Sequence, residues 1–175
     1  MPLSKGTIQV YTGNGKGKTT AALGQALRAC GHGFKVLMIQ FMKGSKNYGE
    51  VIIAGEIPGF TLIQSGLPTF VEKGSPSEED LRLAKEGMEI AAKCVDEGCC
   101  DILILDEINV AVDYGLVETK QVLDIINRKP PAMEIILTGR YAPVEFTEIA
   151  DLVTEMKEIK HHYMSGFEMR EGIEY

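Results

Sequence analysis

The chain has 175 residues, 45% of them hydrophobic and 25% charged, the balance of a globular domain and not of a disordered tail. Lysine and arginine total 18 against 25 aspartate and glutamate, a net charge of −7 that disfavours non-specific binding to a nucleic acid backbone. No apolar run approaches the roughly 20 residues of a membrane span, and the opening MPLSKGTIQV has no signal-peptide core, so a single cytoplasmic domain over residues 1–175 is expected, with no membrane partner.

Short Val- and Ile-rich runs alternate with longer helical patterns, which predicts an α/β fold built on a mainly parallel sheet of about six strands. The expected strands cover residues 7–11, 35–41, 60–64, 101–106, 133–138 and 152–156. Between the first two, residues 19–30 form a helix with Leu23, Leu27 and Cys30 on one side and a stop at Gly31. After the third strand, residues 66–77 (GLPTFVEKGSPS) make a loop longer than a simple connection, with Phe70 and Val71 in its middle. Such a loop reads either as a lid or as one whose aromatic ring fills a core gap. The clearest helix is 77–97, where Leu81, Ala84, Met88, Ala91 and Val95 form one stripe. Ser77 with Asp80 makes a capping box, and Gly98 supplies a left-handed stop. A helix over 118–127 buries Val122, Leu123 and Ile126 before Pro130 and Pro131 end it, and Pro143 opens a short helix reaching about residue 150. Cys30, Cys94, Cys99 and Cys100, with His32, His161 and His162, show neither C-x-x-C nor H-E-x-x-H spacing. No zinc site can be argued from that spacing, and the cysteines are expected to be reduced, with one of the adjacent pair facing the core and the other facing out.

The strongest chemical signal is Thr12-Gly13-Asn14-Gly15-Lys16-Gly17-Lys18-Thr19-Thr20, between the first strand and first helix. Glycines let the backbone N–H groups wrap an anion, and the following helix turns its positive end toward the same point. Lys18 supplies charge to phosphate oxygens, the Thr19 hydroxyl is a ligand for Mg²⁺, and Lys16 adds charge at the mouth. As a charge on an exposed loop, Lys18 is expected to be dispensable for the fold. Against G-x-x-x-x-G-K-[ST], Thr12 stands where the first glycine belongs, so the cradle departs from the usual form. A dinucleotide fingerprint fails because Lys18 stands where its third glycine would be. Residues 102–107 (ILILDE) resemble a Walker B strand, bringing Asp106 and Glu107 to the end of the sheet beside Thr19. Residues 135–140 (IILTGR) likewise end a buried strand with Arg140, within reach of a phosphate.

TGNGKGKTTAALGQALRACGHG, KVLMIQFMKG, DILILDEINVAVDYGLV, ILTGR, ADLVTEMKEIKHHY and GIEY, in that order over nearly the whole chain, are similar to the ATP:corrinoid adenosyltransferase family. The resemblance implies a three-layer RecA-like P-loop fold. It also implies transfer of the 5′-deoxyadenosyl group of ATP, the co-substrate, to the Co(I) centre of a corrinoid substrate, with triphosphate leaving and ATP lying reversed relative to ordinary P-loop enzymes. Carried over by position, Gly13, Asn14, Gly15, Lys16, Gly17, Lys18 and Thr19 bind triphosphate; Thr19 and Glu107 hold Mg²⁺ with Asp106 nearby; Arg28 and Arg140 stabilise phosphate charge. The family's aromatic loop, which crowds the lower face of the corrin, corresponds to Gly66-Leu67-Pro68-Thr69-Phe70. The chain has no Trp, which leaves Phe70 as the catalytic aromatic. The resemblance further implies a homodimer and a flavodoxin-type reductase that supplies electrons, gives His161 and His162 no catalytic role, and marks the N-terminal segment as shorter than in many relatives. An ordinary P-loop ATPase or small-molecule kinase, and a non-catalytic nucleotide or corrinoid carrier, are the competing readings.

Overall fold

In the computed structural model, which describes residues 3–175, the side chains of each central strand alternate between two cores, as the two-residue period of a sheet covered on both faces requires. In β4 (Ile102–Asp106) and β5 (Glu134–Thr138), Leu103, Leu105, Ile135 and Leu137 face one side, and Ile102, Ile104 and Ile136 face the other. With β1 (Ile8–Thr12), β2 (Val36–Phe41), β3 (Phe60–Ser65) and β6 (Leu152–Glu155) they form one sheet in the order β3-β2-β4-β5-β1-β6, every neighbouring pair parallel. The strands lie within one or two residues of those expected. Because β5 lies between β1 and β4, the glycine loop after β1 and the acids ending β4 are spaced by one strand.

Helix α1 (Lys18–Gly31) and α2 (Gly49–Ala54) cover one face; α3 (Glu78–Glu97), α4 (Ile108–Asp113) and α5 (Thr119–Asn127) cover the other, with α6 (Val144–Ile149) leading into β6. The buried side of α1 meets the Leu23–Leu27–Cys30 expectation only in part, since Leu23 and Cys30 pack against the core but Leu27 does not. Lys18, Ala22, Ala26 and Ala29 face inward, and Leu27 is 62% exposed. The rotation is set at the first turn: once Lys18 points into the loop, the i+4, i+8 and i+11 positions must follow it. Pro143 precedes α6 as its N-cap instead of opening its first turn. Helix α3 matches expectation closely. The Ser77 hydroxyl accepts from Asp80 N, the Asp80 carboxylate accepts from Ser77 N, and Gly98 adopts φ 61° at the C-terminus. Leu81 stays partly out of the core while Gly87 lies in it, tight against Ser65 and Phe41.

The cysteines depart from the expected reduced state. Cys94 and Cys99 are joined by a disulfide, with Cys30 and Cys100 free. The helix stop explains the pairing, because the left-handed Gly98 folds the chain back and Cys99 N reaches Cys94 O at 3.1 Å, laying one cysteine over the other. Cys99 is exposed and Cys100 packs against the core, as expected. Burial pushes the Cys100 thiol up to about 11.

The bonds of the capping box on α3 are solvent-exposed and join Ser77 only to Asp80, so although the box lies at the sheet's C-terminal end its loss is a matter of stability alone. Ser77→Ala is expected to cost about 1 kcal/mol and to lower the melting temperature by roughly 3 °C with substrate turnover unchanged. Thermal melting beside an activity assay checks both halves.

Candidate active site

The loop between β1 and α1 is shaped by two constraints. Gly13 (φ 93°) and Gly17 (φ 123°) occupy backbone conformations that a side chain disfavours. A Cβ on Gly13 or Gly15 would also lie 2.5 or 2.7 Å from Met156 O. The segment leaving β6 runs directly against the loop, and Gly15 N donates to that same carbonyl at 2.7 Å.

Lys18, expected on an exposed loop, is instead the first residue of α1 and is buried. Its Nζ donates to Gly13 O and Gly15 O, both at 2.7 Å, so the ammonium sits inside the curl of the loop and braces it. Burial lowers its pKa, and the Arg140 charge lowers it further, against the opposing carboxylates of Glu107, Asp106 and Glu158. The helix N-terminus adds its own positive potential at the same point.

One strand away, Asp106 has no exposed surface. Its Oδ1 accepts from Thr19 Oγ1 at 2.9 Å and from Thr138 Oγ1 at 2.7 Å. Its Oδ2 accepts from Lys43 Nζ at 2.7 Å and from Gln40 Nε2 at 3.4 Å. Lys43 Nζ also donates to Thr19 Oγ1 at 3.2 Å, so an ammonium bridges the hydroxyl and the carboxylate. Burial works against the charge on Lys43, but Asp106 and Glu107 outweigh it and hold its pKa above the ordinary lysine value. Met42, just before it, has φ 57°, a conformation uncommon for a side-chain-bearing residue that redirects the chain at the end of β2. Glu107 (φ 60°) donates its N–H to Thr138 Oγ1 at 3.0 Å. Its carboxyl is pushed up by burial, with the neighbouring Asp106 charge adding to the effect.

Do these residues fit Mg²⁺? A hydroxyl and a carboxylate converge on a cation, with a second carboxylate next in the chain; this hard oxygen set suits Mg²⁺, and the Lys43 ammonium stands in for it. Lys43, Thr138 and Gln40 were missed in the sequence. Lys43 lies in the quoted FMKG stretch and Thr138 in ILTGR, but neither carried a role on its own.

Arg140 is exposed at the end of β5, where its charge acts on both Lys18 and Glu107. Arg28 is not brought to the loop. It lies ten residues beyond Lys18 on α1, about 15 Å along the axis, and donates to Gln25 Oε1 at 3.3 Å. Its expected phosphate role within its own chain fails because a continuous helix carries it away. Asn14 and Lys16 are exposed at the loop's rim, with Lys16 Nζ donating to Ile173 O at 3.0 Å. A cleft of about 350 Å³ beside Gly15 and Lys16 is lined by Lys157, Glu158, Lys160, His161 and His162, its lysines outnumbering the one carboxylate.

Of the two readings of Phe70, the structure excludes the ring that fills a core gap. Val71 packs on the core, whereas Phe70 is 99% exposed. Lys73 ties the loop to the sheet's C-terminal side, pairing with Asp113 at 2.6 Å and lying 5.7 and 5.5 Å from the ring centres of Tyr114 and Tyr141.

Comparison with known proteins agrees with this geometry. The family model described as ATP:corrinoid adenosyltransferase BtuR/CobO/CobP matches residues 4–175. The chain belongs to that family. A corrinoid adenosyltransferase of Pseudomonas aeruginosa is 33% identical over 171 residues, covering 98% of this chain and 84% of the relative. One from Escherichia coli K12 is 35% identical over 172 residues, covering 98% and 86%. Among solved structures, a KaiC-like protein of Pyrococcus horikoshii superposes with a TM-score of 0.58 at 16% identity, covering 90% of this chain and 76% of that one. The fold is thus the α/β P-loop fold expected. The enzyme is a transferase whose family takes ATP and a corrinoid as its two substrates.

Removing the stand-in cation leaves a buried carboxylate short of a partner. Lys43→Met is expected to destabilise the enzyme in chelator by about 2 kcal/mol, below the full cost of breaking a buried pair because the lysine is partly solvated. Millimolar Mg²⁺ should recover part of that loss. Chemical denaturation with and without Mg²⁺ checks this, and an equal deficit in both would contradict competition for one cation site.

Proposed function

We propose that the glycine loop of this enzyme grips the triphosphate of ATP so that C5′ of the ribose, and not the terminal phosphorus, is presented to the Co(I) corrinoid. The observation that carries this reading is the convergence at one end of the sheet: Lys18 braced inside the loop, and one strand away an oxygen-lined cation site built from Thr19 and Asp106. In the reaction, cobalt donates an electron pair to C5′ and forms the Co–C bond. The C5′–O bond breaks, and its electron pair leaves with triphosphate. The protein's contribution is electrostatic and positional.

In this reading Gly13, Asn14, Gly15, Lys16 and Gly17 line the phosphates, and Lys18 exchanges its two carbonyl partners for phosphate oxygens. Arg140 adds charge from the neighbouring strand end, while Arg28 stays outside the set. Thr19, Asp106 and Glu107 would hold Mg²⁺, which when bound neutralises charge on the leaving triphosphate. Lys43 keeps Asp106 paired when no divalent ion is present and, once one replaces it, is free to turn toward phosphate. Phe70 stands free on a tethered loop, so its ring is available to lie against the corrin's lower face and crowd out an axial ligand. The exposed apolar side chains of β6, Leu152 and Val153, support a homodimer. A cytoplasmic location and an electron-donating flavodoxin-type reductase belong to the same proposal, since Co(I) must be generated and protected from oxidation.

The deciding experiment is anaerobic incubation of the pure protein with Mg-ATP and chemically reduced corrinoid. A cobalt spectrum changing to that of the alkylated product, with one triphosphate released per Co–C bond, is expected. ADP and inorganic phosphate in its place would assign an ordinary ATPase or kinase, and binding without turnover would assign a carrier. Lys18→Ala should lower the rate on the order of 10²-fold or more. It should also cost stability by about 1–3 kcal/mol, since two buried carbonyls lose their donor, and this is read from its denaturation midpoint.

The aromatic loop is tested separately. Phe70→Ala is expected to cut turnover from Co(II) corrinoid by about tenfold or more, worth about 1.4 kcal/mol in the barrier, with turnover from pre-reduced Co(I) nearly unchanged. Because Phe70 is exposed, folding is not at issue, and equal losses in the two assays would remove it from axial-ligand control.

A further inference from the structure

Six residues before Asp106, at the opposite end of β4 and about 20 Å away along the strand, the Sγ atoms of Cys94, Cys99 and Cys100 all lie within 4.8 Å of one another. Cys94 and Cys99 are bonded, and Cys100 Sγ is 3.3 Å from Cys94 Sγ. The backbone creates this cluster. At the end of α3, Gly98 N donates to Val95 O at 3.3 Å and Cys99 N to Cys94 O at 3.1 Å, the paired bonds of a Schellman stop. That motif brings the residue after the glycine onto the residue four before it, here Cys99 onto Cys94. Cys100 follows at once, and Asp101 N and Ile102 N then anchor on Lys35 O, which turns Cys100 inward beside Cys94. Three sulfurs are thus gathered by two regular features, a helix stop and the start of a strand.

We propose that the reduced form of this cluster is a three-thiolate site for one soft monovalent cation, copper(I). Soft sulfur ligands select Cu(I) over hard cations. Three sulfurs each about 2.3 Å from one metal would stand roughly 4 Å apart, within the spread of the cluster. Among the described residues no further His, Cys, Asp or Glu ligand atom joins the group. That suits a three-coordinate ion better than zinc, which prefers four ligands. The Cys94–Cys99 disulfide is the oxidised, metal-free state. A dithiol reductant opens it by supplying two electrons and two protons. Copper(I) then displaces the thiol protons to solvent as three Cu–S bonds form, with no change in the oxidation state of copper. The site is separate from the nucleotide loop and rests on no part of the adenosyl-transfer reading.

The test uses the full chain, reduced with a dithiol, freed of reductant and kept anaerobic, and titrated with Cu(I) buffered by bicinchoninate. About one equivalent of copper per chain is expected to leave the chelator. Cys30→Ser, outside the cluster, should match the parent, and Cys100→Ser and Cys99→Ser should bind at least about tenfold more weakly. Circular dichroism of each reduced variant confirms the fold, and these two positions are used because Cys94 is the buried member of the group. No transfer of copper, equal binding by Cys100→Ser, or retention of Zn(II) in preference to Cu(I) would overturn the proposal.

Discussion

A carboxylate with no solvent access at the end of a central strand must be neutralised by its surroundings, and the neutralisation of Asp106 organises the site. An unpaired charge there would cost several kcal/mol. The donors come from four places in the chain: Thr19 on α1, Gln40 on β2, Lys43 just beyond β2, and Thr138 at the end of β5. Parallel pairing makes this possible, because neighbouring strands then end on the same side and their last residues meet there. The position of β5 between β1 and β4 matters for the same reason. Its terminal Thr138 bridges Asp106 and the backbone of Glu107, joining the acid pair to the phosphate side of the sheet.

The glycine loop is constrained from the other flank. Its close approach to Met156 O leaves no space for side chains at 13 and 15, so the chain leaving β6 is a wall of the cradle. The C-terminal segment extends that wall. Lys16 donates to Ile173 O, while Glu174 takes Arg170 and His162 as partners and lies 3.9 Å from Lys16. Arg170 holds the Glu174 carboxyl down at about 2, with Lys16 contributing, so this contact is charged throughout the neutral range. Glycine loop, acid strand and C-terminal segment therefore form one electrostatic unit, and in the proposed reading Lys18 and Lys43 are cations placed in advance where phosphate and divalent metal would bind. Such placement lets a charged leaving group be stabilised without reorganising solvent.

Much of this was legible in the residues. The central strands β2, β4 and β5, buried on both faces, read as short apolar runs, and the shorter apolar stretches of β1, β3 and β6 were legible beside them although β6 is exposed. The capping box at Ser77 and Asp80 and the stop at Gly98 are local signals with local causes, and they survive folding intact. Gly13 through Thr19 marked the glycine loop because a strand, a glycine turn and a helix are adjacent in sequence. Helices α2 and α4 escaped notice because six residues are too few for a period of 3.6 to stand out. The inward face of α1 was only partly legible: Leu23 and Cys30 pack against the core as expected, but Ala22, Ala26 and Ala29 form its centre and Leu27 points out.

The sequence by itself determined the succession of the six strands, the glycine loop, the acid pair ending β4 and the family, since each is encoded by neighbouring residues or by an ordered string of motifs. Only the tertiary structure decided that Lys18 is braced by carbonyls, that Lys43 bridges Thr19 and Asp106, that Arg28 is carried away from the loop, and that Cys94 meets Cys99 and Cys100. Lys43 and Asp106 are 63 residues apart, and nothing local announces that they touch. The pairing is fixed by the parallel register of β2 beside β4, which sets Gln40 opposite Asp106 and brings the residues that follow over the same buried charge.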